Sequence, residues 1–168
     1  METFTDPRDS KDYKTVKIGE QVWMAENLNF DCKGSVCYDN DPKNAEKYGR
    51  LYDWETAKKA CPPGWHLPSK EEWDELVNFA GGEYAAGKEL KANSGWNNNG
   101  KGTDKHGFSA LPGGYSDSDG GFYYVGFYGY WWSADESIYG LYMRYDLDNV
   151  VWDYDKKSNL FSVRCVKD

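Results

Sequence analysis

Eight aromatic side chains crowd the stretch from Phe122 to Trp132 in "GFYYVGFYGYWWSA", residues 121–134. Tyr and Trp carry a polar atom on a flat, apolar body. Such rings stack on the apolar faces of sugar rings, while neighbouring Asp, Glu, Asn and Arg bind the hydroxyls. They lose little rotamer freedom when fixed, which suits a binding surface. Strand alternation sets Tyr130 and Trp132 on one side and Trp131 on the other, so "GYWWS" reads as core. Tyr123, Tyr124 and Tyr128 lie between glycines and read as ligand contacts. Asp135, Glu136 and Arg144 are the polar candidates nearby, with Trp152 and Tyr154 as further aromatics. The alternative is an aromatic cap on a glycine-rich loop.

Two acidic stretches raise the question of calcium. "SDSDGG" sets Asp117 and Asp119 two apart, and "CYDNDP" does the same with Asp39 and Asp41. Alternating oxygen ligands in a tight loop suit Ca²⁺, but neither stretch is a full EF-hand loop. Asx-turns explain both equally well. The expectation is therefore no cofactor, with a structural calcium as the minor alternative. Catalysis has little to draw on. His66, between Trp65 and Leu67, reads as a packed structural histidine, and His106, beside Gly107, as a loop residue. No pair of carboxylates is spaced to separate an acid from a base.

The four cysteines are Cys32, Cys37, Cys61 and Cys165. There is no C-x-x-C, and neither histidine stands at zinc spacing. One local and one long-range pair suit two disulfides in an oxidising compartment; four free thiols are the alternative. A Cys61–Cys165 bridge would close a loop of roughly 100 residues, worth about 4–5 kcal/mol on the chain-entropy model.

Several elements must position these groups. "YKTVKIGEQVWMAENL" reads as a hairpin turning at Gly19-Glu20. "NFDCKGSVCYDNDPKNAEKYG" reads as a polar loop pinned by Cys32–Cys37. A first helix is expected over about Leu51 to Ala60, stopped by Pro62-Pro63. A second opens on Ser69, with Glu72 completing a capping box and Trp73, Leu76, Val77 and Ala80 on one face; Gly81-Gly82 end it. A short third helix fits around Tyr84 to Lys91. Strands follow: "FSALPGGY", "GYWWSA", "GLYMRYDL" with Leu141 and Met143 opposite Tyr142 and Arg144, "VVWDYD", and "LFSVRCV" with Phe161, Val163 and Cys165 opposite Ser162 and Arg164. Helices followed by antiparallel strands make an α+β pattern in one domain, 1–168.

Composition agrees with a folded, aromatic-rich domain, since eight Trp and fourteen Tyr supply apolar area that the few aliphatics do not. The net charge of −8, with no basic stripe, argues against nucleic acid and anionic membranes. No stretch approaches 18 apolar residues, so no membrane insertion is expected.

Taken in order, "YKTVKIGEQVWMAENLN", "YGRLYDWETAKKACPPGWHLPSKEEWDEL", "GFSALPGGY", "GYWWSA" and "FSVRCVKD" resemble the Fibrobacter succinogenes major paralogous domain, over about Phe4 to Asp168. That family is similar to the C-type lectin-like fold. The resemblance implies two main helices on twisted antiparallel sheets, termini close together, and the first helix end bridged to the last strand. Relatives often place a cysteine shortly before "KYGRLY", where this chain has Ala45; Cys32 then substitutes as partner of Cys37. The calcium-lectin sugar signatures, Glu-Pro-Asn or Gln-Pro-Asp followed by Trp-Asn-Asp, are absent. The thiols of formylglycine-generating relatives and the several histidines of iron-dependent ones are also missing. The expected function is a non-catalytic, extracellular or cell-surface module of a bacterial protein that binds carbohydrate. A protein–protein adhesion or display module is the alternative.

Overall fold

A computed structural model of the chain describes residues 1–136, 140–154 and 156–168. The chain opens on β1 (Glu2–Thr5), β2 (Asp12–Ile18) and β3 (Gln21–Met24). The expected hairpin joins β2 to β3, with Ile18 paired to Gln21 and Gly19 at φ 62°, a value the two-residue turn requires. β1 adds an edge strand through Glu2–Thr15 and Thr5–Asp12 pairs.

The next segment is not all loop. After β4 (Ser35–Val36), Asp41 accepts from the Lys43 N–H and caps α1 (Pro42–Tyr48), which closes at Gly49. The signal was present as Asp-Pro, a cap followed by proline in the first turn, with a glycine beyond the end. The expected first helix is also shorter. Leu51–Tyr52 form β5, paired with β4, and α2 (Trp54–Ala57) begins only at the Asp53 cap. Then come β6 (Trp65–His66), α3 (Lys70–Phe79) and α4 (Ala86–Leu90). α3 carries the full capping box between Ser69 and Glu72.

β7 (Tyr115–Ser116) and β8 (Phe122–Tyr123) form a small hairpin. "FSALPGG" itself is irregular, touching neighbours through single bridges at Ala110 and Gly114. β9 (Tyr128–Trp132), β10 (Gly140–Arg144) and β11 (Val150–Asp153) make a three-stranded antiparallel sheet in the order β11-β10-β9. β12 (Val166–Lys167) enters the other sheet, whose order is β1-β2-β3-β12-β6. The first and last strands thus share one sheet, and the architecture is α+β.

Two apolar clusters hold this together. In one, Trp73, Leu76 and Val77 of α3 meet Trp23, Phe108, Trp131, Leu141 and Met143. Trp23 and Trp73 lie with ring centroids 4.8 Å apart. In the other, Trp54 and Ala57 of α2 meet Tyr52, Trp132, Phe161 and Val163. Trp131 and Trp132 therefore serve different cores, as neighbours on a strand must. Truncating a buried leucine such as Leu76 would cost roughly 2–5 kcal/mol.

Cys61 and Cys165 are bridged across a separation of 104 residues. Cys32 and Cys37 are not: the expected local bridge is absent. Cys37 Sγ instead accepts a hydrogen bond from Arg50 Nη1 at 3.1 Å, and Cys32 packs at the edge of the second cluster. Nor does alternation divide the last segment into a wet and a dry face. Ser162 and Arg164 are as buried as Phe161 and Val163. Arg164 is accommodated because Asn27 Oδ1 and the carbonyls of Met24, Phe108 and Ser109 take all of its N–H groups.

Candidate functional site

The register of β9 and β10 builds the site. Tyr130 pairs with Tyr142 and Tyr128 with Arg144, so these side chains share one sheet face. Trp131 pairs with Leu141 and points to the core on the other. Tyr130 and Tyr142 have ring centroids 5.5 Å apart; Tyr128 stacks on Tyr130 at 5.8 Å with planes only 9° apart. Tyr124 follows at 4.8 Å from Tyr128, and Tyr123 at 6.3 Å from Tyr124. Tyr115 of β7 stacks on Tyr123 at 5.1 Å and meets Tyr130 edge-on. Six tyrosines thus form a continuous ladder running from the sheet onto the β7–β8 hairpin. Its inner end rests on Phe161, 5.1 Å from Tyr130. Its outer end is open: Tyr123 is 40% and Tyr124 51% exposed.

Local structure holds the outer rings in place. Tyr124 adopts a left-handed backbone, φ 66°, unusual for a bulky residue. Its carbonyl accepts from the N–H groups of Phe127 and Tyr128, closing the turn into β9. Such a conformation costs about 1 kcal/mol or more and tends to mark functional sites. Asp117 accepts from the N–H groups of Asp119 and Gly121 through Oδ1 and from the Tyr123 hydroxyl through Oδ2, at 2.9 Å. These bonds, the Gly121 N–H foremost, hold its carboxyl below the usual carboxylate range. The same carboxylate raises the Tyr123 phenol. Burial, then the charge of Asp153, raises Tyr142. Burial foremost likewise pushes Tyr130 well up, so both remain neutral hydrogen-bonding phenols at physiological pH. Arg144 donates two bonds to the Asp146 carboxylate, at 2.9 and 2.8 Å, and its guanidinium lies 5.3 Å from the Tyr128 ring.

Of the sequence-derived candidates, Tyr123, Tyr124, Tyr128 and Arg144 come together here. Trp152 does not. It pairs with Leu141, packs on the first core and lies under Lys70 Nζ, on the opposite face of the sheet. Asp135 also faces elsewhere: it accepts the Lys70 N–H at the start of α3. Glu136 and Tyr154 are exposed, with Tyr154 at 72%, and no ring contact joins Tyr154 to the ladder. Tyr115, Tyr130, Tyr142, Asp117 and Asp153 complete the site. Alternation carried part of that signal, since Tyr130 lies two residues from Tyr128 and Tyr142 two from Arg144.

The acidic stretches are local structure. Asp117 shapes the hairpin turn and Asp41 caps α1. Among the described residues, no group of three His, Cys, Asp or Glu side chains is gathered to hold a metal ion. A cleft of about 450 Å³ opens elsewhere, between β2, residues 25–29 and α1; none of the ladder tyrosines lines it. His66 bridges Asp168 (2.6 Å) and Glu72 (2.7 Å), and His106 meets Glu89 at 2.7 Å. Both histidines are thus tied to carboxylates by short contacts. Among the described residues, no helix is long and apolar enough to cross a membrane.

The Fibrobacter succinogenes major domain matches residues 16–167, almost the whole chain. The chain belongs to this family. The match begins on β2 and ends on β12, so it takes in the hairpin, the disulfide and the entire ladder. No curated protein and no solved structure matches the chain.

Proposed function

We propose that this domain is a non-catalytic, C-type lectin-like module of an extracellular or cell-surface bacterial protein, and that it binds carbohydrate on the tyrosine ladder. The observation that carries the reading is the ladder itself: six tyrosine rings in unbroken contact, with the outer two open to solvent. A monomeric domain seldom leaves such rings uncovered without use. Flat phenols offer stacking area for sugar rings, and their hydroxyls, Asp117 and Arg144 offer hydrogen bonds. The fold reading is supported by the sharing of one sheet by the N-terminal hairpin and the last strand, with α2 bridged to that strand by Cys61–Cys165. The disulfide also supports an oxidising location.

The test is affinity electrophoresis of the oxidised domain through gels loaded with polysaccharide. The wild-type domain should be retarded in at least one gel, and Tyr124→Ala and Tyr128→Ala should migrate freely in it. Equal retardation of all three would place binding elsewhere. Tyr and Arg enrichment also suits a protein interface, the second reading. Saturable, glycan-independent binding to a protein that the same substitutions abolish would favour it.

A further inference from the structure

Resting on the reading of the ladder as a glycan platform, we propose that its ligand is a single, separately hydrated glycan chain that twists along the rings, and that the flat face of a crystalline polysaccharide is excluded. The angles between neighbouring rings carry this. Tyr123 and Tyr124, the two exposed rings of the ladder, have planes 45° apart. Tyr124 is in turn tilted by 34° to Tyr128, the next ring inward. Tyr128 and Tyr130 do lie nearly parallel, 9° apart, but Tyr130 is only 7% exposed. The open end is therefore a turning surface. Stacking needs sugar and phenol in contact across their faces, and a gap of about 0.5–1 Å already forfeits a quarter to a half of the dispersion energy. In a crystalline face the lattice holds neighbouring sugars in one plane, so one tyrosine could lie flat on it while the next is tilted away. A free chain rotates about its glycosidic bonds and offers a face to each ring in turn.

The tilt is built in. Tyr123 stacks on Tyr115 at 29°, and its hydroxyl donates to Asp117 Oδ2. A side chain at Gly121 would collide with that hydroxyl, so the phenol lies directly against the hairpin backbone. Tyr124 is set by its left-handed backbone, φ 66°, and by the two N–H groups its carbonyl accepts. Swinging both rings into one plane would break these contacts. Binding a chain on the rings as they stand orders little that is not already ordered. Two exposed rings also set the ligand's length: a single sugar covers one, and two or three are needed to span both.

The experiment offers the oxidised domain matched forms of the same polymers, crystalline and swollen cellulose and crystalline and colloidal chitin, beside dissolved xylan, galactomannan and pectin. Calorimetry with oligomers of whichever chain binds then follows. At least one swollen or soluble chain should take up the wild-type domain, and both crystalline powders should leave it in solution. Affinity should rise about tenfold from monosaccharide to trisaccharide and change little beyond. Tyr123→Ala should remove that rise, with circular dichroism confirming the fold. Depletion by either crystalline powder that Tyr124→Ala abolishes would overturn the chain inference and leave the platform standing. A monosaccharide that binds as tightly as its trisaccharide would do the same. Failure of every form to bind would overturn both.

Discussion

Tyr142 of β10 and Trp152 of β11 lie on opposite faces of one sheet, because Leu141, not Tyr142, is the cross-strand partner of Trp152. A one-residue difference in register thus separates a ladder ring from a core ring. Tyr142→Ala should weaken glycan binding at least severalfold with a modest stability loss. Trp152→Ala should leave binding intact while lowering the thermal midpoint. Calorimetry of binding and melting on the two variants checks both.

Tyr124 sets stability against binding. Its φ of 66° suits glycine better than tyrosine. Tyr124→Gly should therefore keep the fold within about 1 kcal/mol of wild type, since relieved strain offsets lost ring contacts. Binding should nevertheless disappear. A urea melt alongside a binding isotherm would show whether the two properties separate.

The Asn27–Arg164 pair is the polar hinge of the core. Asn27 Oδ1 accepts from Arg164 Nε and Nη2 and from Trp131 Nε1. Among the described residues no carboxylate touches the guanidinium, and burial works against its charge. Asn27→Ala would strand three buried donors and should cost about 3 kcal/mol or more. Chemical denaturation of that variant tests it.

The long-range disulfide should matter and the local thiols should not. Replacing Cys61 and Cys165 together by Ala should cost about 4–5 kcal/mol, the loop-closure figure for a loop of this size. Replacing Cys32 and Cys37 by Ser should cost far less, and thiol counting on the native oxidised domain should return both.

Below neutrality, His66 should add stability. Burial opposes its charged form, but the hydrogen bonds to Asp168 and Glu72 outweigh this and raise its pKa above the ordinary value. A raised folded pKa means the protonated ring favours the folded state. The contribution is full below the unfolded pKa, about 6.5, and is lost as pH rises through the folded value. The difference in thermal midpoint between wild type and His66→Gln should therefore be larger at mildly acidic than at alkaline pH. A difference that does not change with pH would contradict the ion-pair role.

Much of this was legible in the sequence where local chemistry decides. The capping box at Ser69 and Glu72, the Gly19 turn and the buried "GYWWS" all follow from short-range rules. The failures come where distant contacts decide. Alternation set Arg164 opposite Phe161 and Val163, but nothing in "VRCV" reveals the four acceptors from residues 24–27 and 108–109 that let it be buried. Cys32 and Cys37 looked paired from their spacing, yet Arg50 reaches in and engages Cys37. The tyrosine ladder was half legible: the glycine-flanked Tyr123, Tyr124 and Tyr128 lie in it, but Trp152 and Asp135, drawn in by proximity in sequence, do not. Only the register, fixed by the whole sheet, sorts them to other surfaces. Tyr115 was missed because its neighbours in space, Tyr123 and Tyr130, come from two other strands.

The platform is tested most directly by retention of the oxidised wild-type domain on a broad panel of plant and bacterial polysaccharides, with and without EDTA. Retention on at least one glycan that persists in EDTA is the expected result, because stacking on tyrosines needs no cation and the Asp117 carboxylate is already engaged by N–H and hydroxyl donors. Retention lost in EDTA, or absent from every glycan, would contradict it.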